Sequence, residues 1–183
     1  MSAPSGPAEN KGWLPEARHI VSPNFDERPV EKDISLVVIH AISLPPGQFG
    51  GQGIIELFTN QLNPEDHPYY QEISHLRVSA HFLIRRNGEL IQFVSLSKRA
   101  WHAGISEWAG RERCNDFSIG IELEGCDDIP FEKSQYTTLN VVLADLQKCY
   151  PIQAVVAHSE IAPGRKTDPG PLFDWDSVIY PTA

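Results

Sequence analysis

Short apolar runs, separated by polar segments rich in proline and glycine, form the clearest pattern along the chain. The run 36–40 is apolar without alternation, which predicts a strand buried on both faces of a sheet. The run 118–124 alternates strictly, so Gly120 shares one face with two glutamates and three aliphatic residues share the other. The apolar run 154–157 predicts a third strand, which ends in His158.

Two further patterns add a hairpin and helices. The segments 81–84 and 90–94 flank Asn87-Gly88, a dipeptide that favours a tight hairpin turn. Residues 134–150 have apolar side chains at helical spacing, with Ser134 as the predicted N-cap. Shorter helices are predicted at 54–62 and around 174–180, and irregular structure at 13–29 and between Pro64 and His75. This mixture predicts an α/β fold with a central mixed sheet flanked by helices.

The composition is that of one globular domain. Of the 183 residues, 41% are hydrophobic and 21% are charged, and this length suits a single well-buried core. Residues 1–12 are rich in Ser, Pro, Gly and Glu, so we expect a flexible tail there and one domain over 13–183.

The net charge, together with a search for membrane spans and targeting signals, limits the classes of partner that we expect. A formal net charge of −9 argues against nucleic acid as a partner. No apolar run approaches the roughly 18 residues of a membrane span, and no signal-peptide pattern opens the chain. We therefore expect a cytoplasmic protein without a membrane partner, and a monomer. The three cysteines lack Cys-x-x-Cys spacing, so neither a disulfide framework nor a cysteine zinc module is predicted.

Two of the seven histidines end apolar strands. His40 and His158 are the last residues of predicted strands, where ligands gather in α/β sheets. A loop rich in proline and glycine then returns Asp168 towards His158. Two imidazoles and one carboxylate would give zinc three protein ligands and leave its fourth position open. A lone histidine is more often a surface or packed residue, so the prediction depends on all three residues meeting.

Two charged residues are candidates for the chemistry at such a metal. Glu122 is a carboxylate on a strand face that should be covered, and it could act as the general base. Its alternative role is a salt bridge to Arg111 or Arg113. Lys166 precedes Asp168 by two residues and could stabilise an oxyanion, although most lysines are simply solvated.

Three other side chains are candidates for substrate contact. Trp101 lies three residues before Gly104 and offers a flat apolar surface to a sugar ring, unless it only packs in the core. Arg77 and Arg113 could bind carboxylates of an anionic ligand, or could be ordinary surface charges. Neither a Gly-x-Ser-x-Gly nucleophile motif nor a phosphate-binding loop motif occurs in the chain.

Five stretches of this sequence together resemble the zinc-dependent N-acetylmuramoyl-L-alanine amidases, a family that shares its fold with the peptidoglycan recognition proteins. The resemblance runs from Trp13 to Trp175. The five stretches are residues 38–47 (VIHAISLPPG), 77–84 (RVSAHFLI), 99–104 (RAWHAG), 114–125 (CNDFSIGIELEG) and 158–170 (HSEIAPGRKTDPG).

The resemblance implies roles for the residues of the site. It implies one zinc ion held by His40, His158 and Asp168, with Glu122 as proton acceptor and Lys166 as stabiliser of the transition state. The implied substrate is a small soluble muropeptide, cut at the amide between the lactyl group of 1,6-anhydro-N-acetylmuramic acid and L-alanine. The implied role is cell-wall recycling in the cytoplasm, which restrains the induction of a β-lactamase.

The resemblance also implies the substrate contacts. Trp101 would pack on the sugar, and Arg77 and Arg113 would hold carboxylates of the stem peptide. One position departs from the family: Ala41 stands where asparagine usually follows the first zinc histidine. The loss of that amide is expected to weaken substrate binding by about 1 kcal/mol or more if its partner on the substrate is left unpaired. The alternatives are a non-catalytic peptidoglycan-binding module on the same fold and a phage-type wall lysin.

Overall fold

The computed structural model describes residues 12–30 and 33–180. The strands are β1 (Arg18–His19), β2 (Phe25–Glu27), β3 (Leu36–Ile42), β4 (Phe82–Ile84), β5 (Leu90–Gln92), β6 (Lys98–Ala100), β7 (Glu107–Trp108), β8 (Arg111–Glu112), β9 (Ser118–Glu124) and β10 (Ala154–Ala157). The α-helices are α1 (Gly53–Phe58), α2 (Pro68–Ile73), α3 (Lys133–Cys149) and α4 (His158–Ile161), with 3-10 turns at Cys114–Asp116 and Trp175–Ser177.

Six strands form the central sheet in the order β1-β5-β4-β9-β3-β10. β3, β9 and β10 run parallel to one another, and β4 is parallel to β9 but antiparallel to β5. The sheet is therefore mixed, as the sequence predicts. β2 pairs with β6, and β7 with β8, in two separate ribbons.

The two faces of the sheet are covered differently. On one face, α3 buries Leu139, Val142 and Leu143 in a cluster that includes Ile119 and Ile121 of β9. The opposite face carries two separate apolar clusters. One contains α1 and Leu83 of β4, and the other contains Val38 of β3 with residues of the loop before β9 and of α4. The polar residues of β3 and β9 lie on this second face. Because the apolar side chains there form two separate clusters, the face has room for a polar site.

The long elements follow the sequence pattern closely. β9 has the predicted bounds, and every residue in it is buried. α3 begins one residue before the predicted start, because its N-cap is Glu132 and not Ser134. The backbone N–H of Glu132 donates to Oε1 of Gln135 at 2.9 Å, while the Ser134 hydroxyl donates to the carbonyl of Arg86. Ser134 therefore links α3 to the turn between β4 and β5 and does not cap the helix.

Several short elements differ from the prediction. α1 ends at Phe58, before the predicted stop at Asn63-Pro64, because Asn60 adopts a left-handed φ of 60° and Gln61 N–H donates back to the Glu56 carbonyl. The segment between Pro64 and His75, predicted to be irregular, contains α2, capped by the His67 ring.

The two ends of the predicted domain also differ from expectation. Residues 13–29 contain the short strands β1 and β2, and the predicted helix near the C-terminus is only the 3-10 turn Trp175–Ser177. The predicted tail lies outside the described residues, except for Gly12. In the described part of the chain, no helix has the length and apolar character needed to cross a membrane.

Candidate metal centre and active-site cleft

The parallel strands bring the candidate residues to one level of the sheet. His40 of β3 pairs directly with Glu122 of β9. Residues that pair in this way project from the same face. On the other side of β3, Ala157 pairs with Ile39, so His158, the next residue, comes level with His40. His158 itself begins α4, so the predicted strand ends one residue earlier.

His40, His158 and Asp168 meet as the sequence predicts. The two Nδ1 atoms of the histidines lie 2.9 Å apart, and each approaches Oδ2 of Asp168, at 3.2 Å from His40 and 3.0 Å from His158. The loop that carries Asp168 is tied to α4, because the Ser159 N–H donates to the Asp168 carbonyl at 3.0 Å. Three ligand atoms within 4.8 Å of one another form a group able to hold a metal ion.

The pKa shifts of His40 and Asp168 favour the binding of a cation. Burial lowers the pKa of His40 from 6.5 to about 4, so its imidazole is neutral at pH 7. Burial alone would raise the pKa of Asp168, but the bonds from His158 and His40 outweigh it and hold that pKa well below its usual 3.8. The site thus presents an ionised carboxylate beside a neutral imidazole, and these are the forms that bind metals.

Glu122 lies beside the trio without a partner for one of its oxygens. Among the described residues, no hydrogen-bond donor reaches its buried Oε2. Burial raises the pKa of this carboxyl well above 4.5; the charge of Asp168 adds to the effect and the charge of Lys166 opposes it. The alternative salt bridge is not formed, because Arg111 pairs with Asp33 and Arg113 pairs with Asp116. A buried oxygen without a partner is costly for a fold and is typical of a functional group.

A cleft of about 630 Å³ opens over the trio. Its walls include five of the predicted site residues besides the two histidines, namely Ala41, Trp101, Glu122, Lys166 and Asp168. An apolar wall is formed by Leu57, Phe58, Tyr69, Ile73, Leu76 and Val78. The cleft therefore combines a charged inner end with an apolar side.

The two predicted arginines lie outside this cleft. Arg77 is exposed, and its Nη1 donates to the carbonyl of Leu76 at 3.1 Å. The Arg113 side chain is 69% exposed and pairs with Asp116 at 3.3 Å. Arg113 lines a neighbouring depression, which shares Arg165 with the main cleft. The structure thus brings the metal and catalytic candidates together, but not the two arginines.

One residue of the site has no clear signal in the sequence. His102 Nδ1 lies 2.9 Å from Nε2 of His40, on the side of the ring opposite the trio. Burial and the neighbouring histidines hold the pKa of His102 well below 6.5. The only hint is Gly120: a Cβ at that position would lie 2.4 Å from the ring carbon Cγ of His102, so the strand needs glycine there. A glycine within an alternating strand indicates close approach by another group.

Comparison with known proteins identifies the family of this chain. The profile of the N-acetylmuramoyl-L-alanine amidase family matches residues 30–171. The 1,6-anhydro-N-acetylmuramyl-L-alanine amidase AmpD of Salmonella typhimurium (strain SL1344) is 57% identical over 168 residues, which are 91% of this chain and 90% of that protein.

Solved structures give the same relationship. The crystal structure of a selenomethionine derivative of AmpD superimposes with a TM-score of 0.89 at 56% identity, covering 91% of this chain and 94% of that one. Drosophila peptidoglycan recognition protein SA shares the fold alone, with a TM-score of 0.57 at 19% identity over 87% of each chain. The chain is therefore a member of the N-acetylmuramoyl-L-alanine amidase family.

Proposed function

We propose that this chain is a zinc-dependent amidase that hydrolyses the bond between the lactyl group of 1,6-anhydro-N-acetylmuramic acid and L-alanine. One observation carries the proposal: three metal-ligand atoms converge beside a buried glutamate oxygen that has no partner in the described chain. A module that only binds peptidoglycan needs neither feature. The printed name of the relatives, 1,6-anhydro-N-acetylmuramyl-L-alanine amidase, supports this substrate.

The donor set favours zinc. Two imidazole nitrogens and one carboxylate oxygen are typical of catalytic zinc sites, which keep a fourth position for water or substrate. His40, His158 and Asp168 would hold the ion. When bound, zinc polarises the scissile carbonyl and lowers the pKa of its water to about 7.

Glu122 is the proposed general base. Its free Oε2 can accept the proton of the attacking water, and the raised pKa of the carboxyl brings its basicity closer to neutral pH. The same oxygen can then deliver this proton to the departing amine of L-alanine. Because β9 holds Glu122 in register with His40, the base stays fixed beside the metal ligand.

Lys166 is the proposed stabiliser of the negative charge that develops on the carbonyl oxygen. It lines the cleft, and its charge lowers the pKa values of both Glu122 and His40, so it acts on the inner end of the site. A fixed cation stabilises a developing oxyanion most strongly where water is excluded.

The substrate contacts complete the proposal. Trp101, half-buried in the cleft wall, would pack against the sugar, and Ala41 would lie where the family has an asparagine amide. A stem peptide that leaves the cleft past Arg165 would reach Arg113, while Arg77 would meet a carboxylate beside Leu76. We further propose the cytoplasm as the compartment, and the recycling of soluble muropeptides, with restraint of β-lactamase induction, as the role.

Mass spectrometry of reaction products tests the proposal. The protein, zinc-loaded or stripped with a chelator, is incubated with anhydro-N-acetylmuramyl-tripeptide. Free tripeptide should appear only with zinc. If zinc binds but no tripeptide is released, Ala41→Asn is tested next, since recovery would assign the loss to that position. Continued inactivity would refute the amidase proposal in favour of a binding module, and preferential cleavage of intact walls would favour a lysin.

A further inference from the structure

Two adjacent residues shortly after β6, His102 and Ala103, contact the two histidines of the proposed metal centre from behind. Nδ1 of His102 lies 2.9 Å from Nε2 of His40, and the backbone carbonyl of Ala103 lies 3.2 Å from Nε2 of His158. Both contacts are made to the ring nitrogen that points away from Asp168. His102 and Ala103, here called the support segment, therefore connect the two imidazoles through one short stretch of backbone.

The contacts define one consistent set of tautomers. If Nδ1 of His40 faces a metal, that nitrogen has no hydrogen and Nε2 donates to Nδ1 of His102. His102 must then carry its hydrogen on Nε2, which lies 3.1 Å from the hydroxyl of Ser118. In the same way, Nε2 of His158 donates to the Ala103 carbonyl.

The support segment is itself held from several directions. Oδ1 of Asn115 accepts from the backbone N–H groups of His102, at 3.1 Å, and Ala103, at 2.8 Å. Nη2 of Arg165 donates to the Ala103 carbonyl at 2.6 Å. Because Gly120 has no side chain, the His102 ring can lie directly against β9. None of these groups lies among the metal ligands.

We propose that His102 is a positioning residue that fixes the tautomer and ring orientation of His40, and that the support segment orients both metal-binding histidines as one unit. The inference rests on the proposed metal site. Groups that hydrogen-bond to the outer nitrogen of a ligand histidine fix its ring and raise its basicity. The role of Ser118 is to hold the tautomer of His102, so its contribution to metal affinity is smaller.

The test measures zinc affinity by competition with a chromophoric chelator, in the wild type and four variants. His102→Leu removes the acceptor, whereas His102→Asn keeps an oxygen near the position of Nδ1. Ser118→Ala removes only the partner of His102. His75→Leu is the control, because His75 is exposed and belongs neither to the proposed metal ligands nor to the support segment. The melting temperature of each metal-free variant shows whether the fold is kept.

We expect His102→Leu to weaken zinc binding by about 10- to 100-fold and His102→Asn to restore most of it. Ser118→Ala should weaken binding by a smaller factor, and His75→Leu should not change it. Visible absorption of the cobalt-substituted proteins should change in shape for His102→Leu and return for His102→Asn, which a general loss of packing would not produce.

Two results would overturn the inference while leaving the proposed metal site intact. Wild-type affinity in His102→Leu would show that His102 does not position His40. If His102→Leu fails to fold, Ser118→Ala becomes the deciding variant, because its melting temperature should be close to that of the wild type. An unchanged zinc affinity in Ser118→Ala would then overturn the inference. Failure of the wild type to bind zinc at all would instead refute the proposed metal site, and this inference with it.

Discussion

The inner end of the cleft and its rim are built from different parts of the fold. At the inner end, His40 and Glu122 are buried and sit on paired strands, so the hydrogen bonds of the sheet set the spacing of their side chains. At the rim, Arg77 and Arg113 are exposed, and they lie on loops outside the cleft. The difference teaches that the fold itself positions the proposed catalytic residues, whereas the proposed contacts to the peptide are long, solvated side chains on loops.

The largest expected effect comes from the proposed metal ligands. Asp168→Ala removes one of three ligand atoms and leaves two histidines without their carboxylate partner. We expect zinc content to fall from one ion per chain to near zero, measured by elemental mass spectrometry, and turnover to fall below detection. Asp128→Ala, an exposed carboxylate on the surface, is the matched control. Full zinc content in Asp168→Ala would break the assignment of the inner end.

The next largest effect separates metal binding from proton transfer. Glu122→Gln keeps the shape of the side chain but removes its basicity. Turnover should fall by about 10² to 10⁴-fold while zinc content stays at the wild-type level. The measurement is kcat with the anhydro-muramyl-tripeptide, at saturating zinc. A normal rate in this variant would remove Glu122 as the base.

The same substitution should stabilise the metal-free protein at neutral pH. The pKa of Glu122 is raised in the folded state, so its contribution to stability is full below about pH 4.5, the unfolded value, and is lost as the pH rises through the folded value. Glutamine has no charge to bury. Metal-free Glu122→Gln should therefore melt a few degrees higher than the wild type near pH 8, by roughly 2–4 °C per kcal/mol.

A pH series of melting curves checks this expectation. The gap between the two melting temperatures should close as the pH falls below the ordinary pKa of a glutamate, because the wild-type carboxyl is then neutral in both states. A gap that stays constant across the series would show that burial does not destabilise the ionised form of Glu122 in the folded protein. The result would also weaken the contrast between the buried inner end and the rim.

The smallest effects belong to the rim. Arg113→Ala and Arg77→Ala should each raise KM several-fold for substrates whose stem peptide carries a free carboxylate, since exposed charge pairs contribute about 0.2–1 kcal/mol. Both should leave kcat and the KM for a shortened peptide unchanged. Arg18→Ala, on β1 and paired with Glu89, is the control. A large loss of kcat in Arg113→Ala would mean that the rim takes part in the chemistry.

The long elements of the fold can be predicted because their patterns extend over several periods. β9 alternates for seven residues, and α3 repeats its apolar positions over 17 residues, so both stand out from their surroundings. The short elements depend on tertiary contacts that local sequence does not contain. α1 ends where Asn60 turns, and that asparagine is fixed by a hydrogen bond from Asn24, 36 residues earlier.

The site was predictable to the extent that its residues stand out against an apolar background. His40 and His158 follow apolar strands, and Glu122 interrupts a covered face, so each is conspicuous. His102 lies in the segment just after the short strand β6 and has no such background. Its position behind His40 arises from the path of the chain between β6 and β9, which no local pattern describes.

The pairing of β3 with β9 also determines which changes of length this protein can accept. The register places His40 opposite Glu122, and side chains alternate between faces along each strand. One residue inserted within β3 before His40 would turn its imidazole towards the face that α3 covers, and no movement of a loop could bring it back. Insertions between α1 and α2 leave that register intact. Family members should therefore vary in loop length while the lengths of these two strands stay the same.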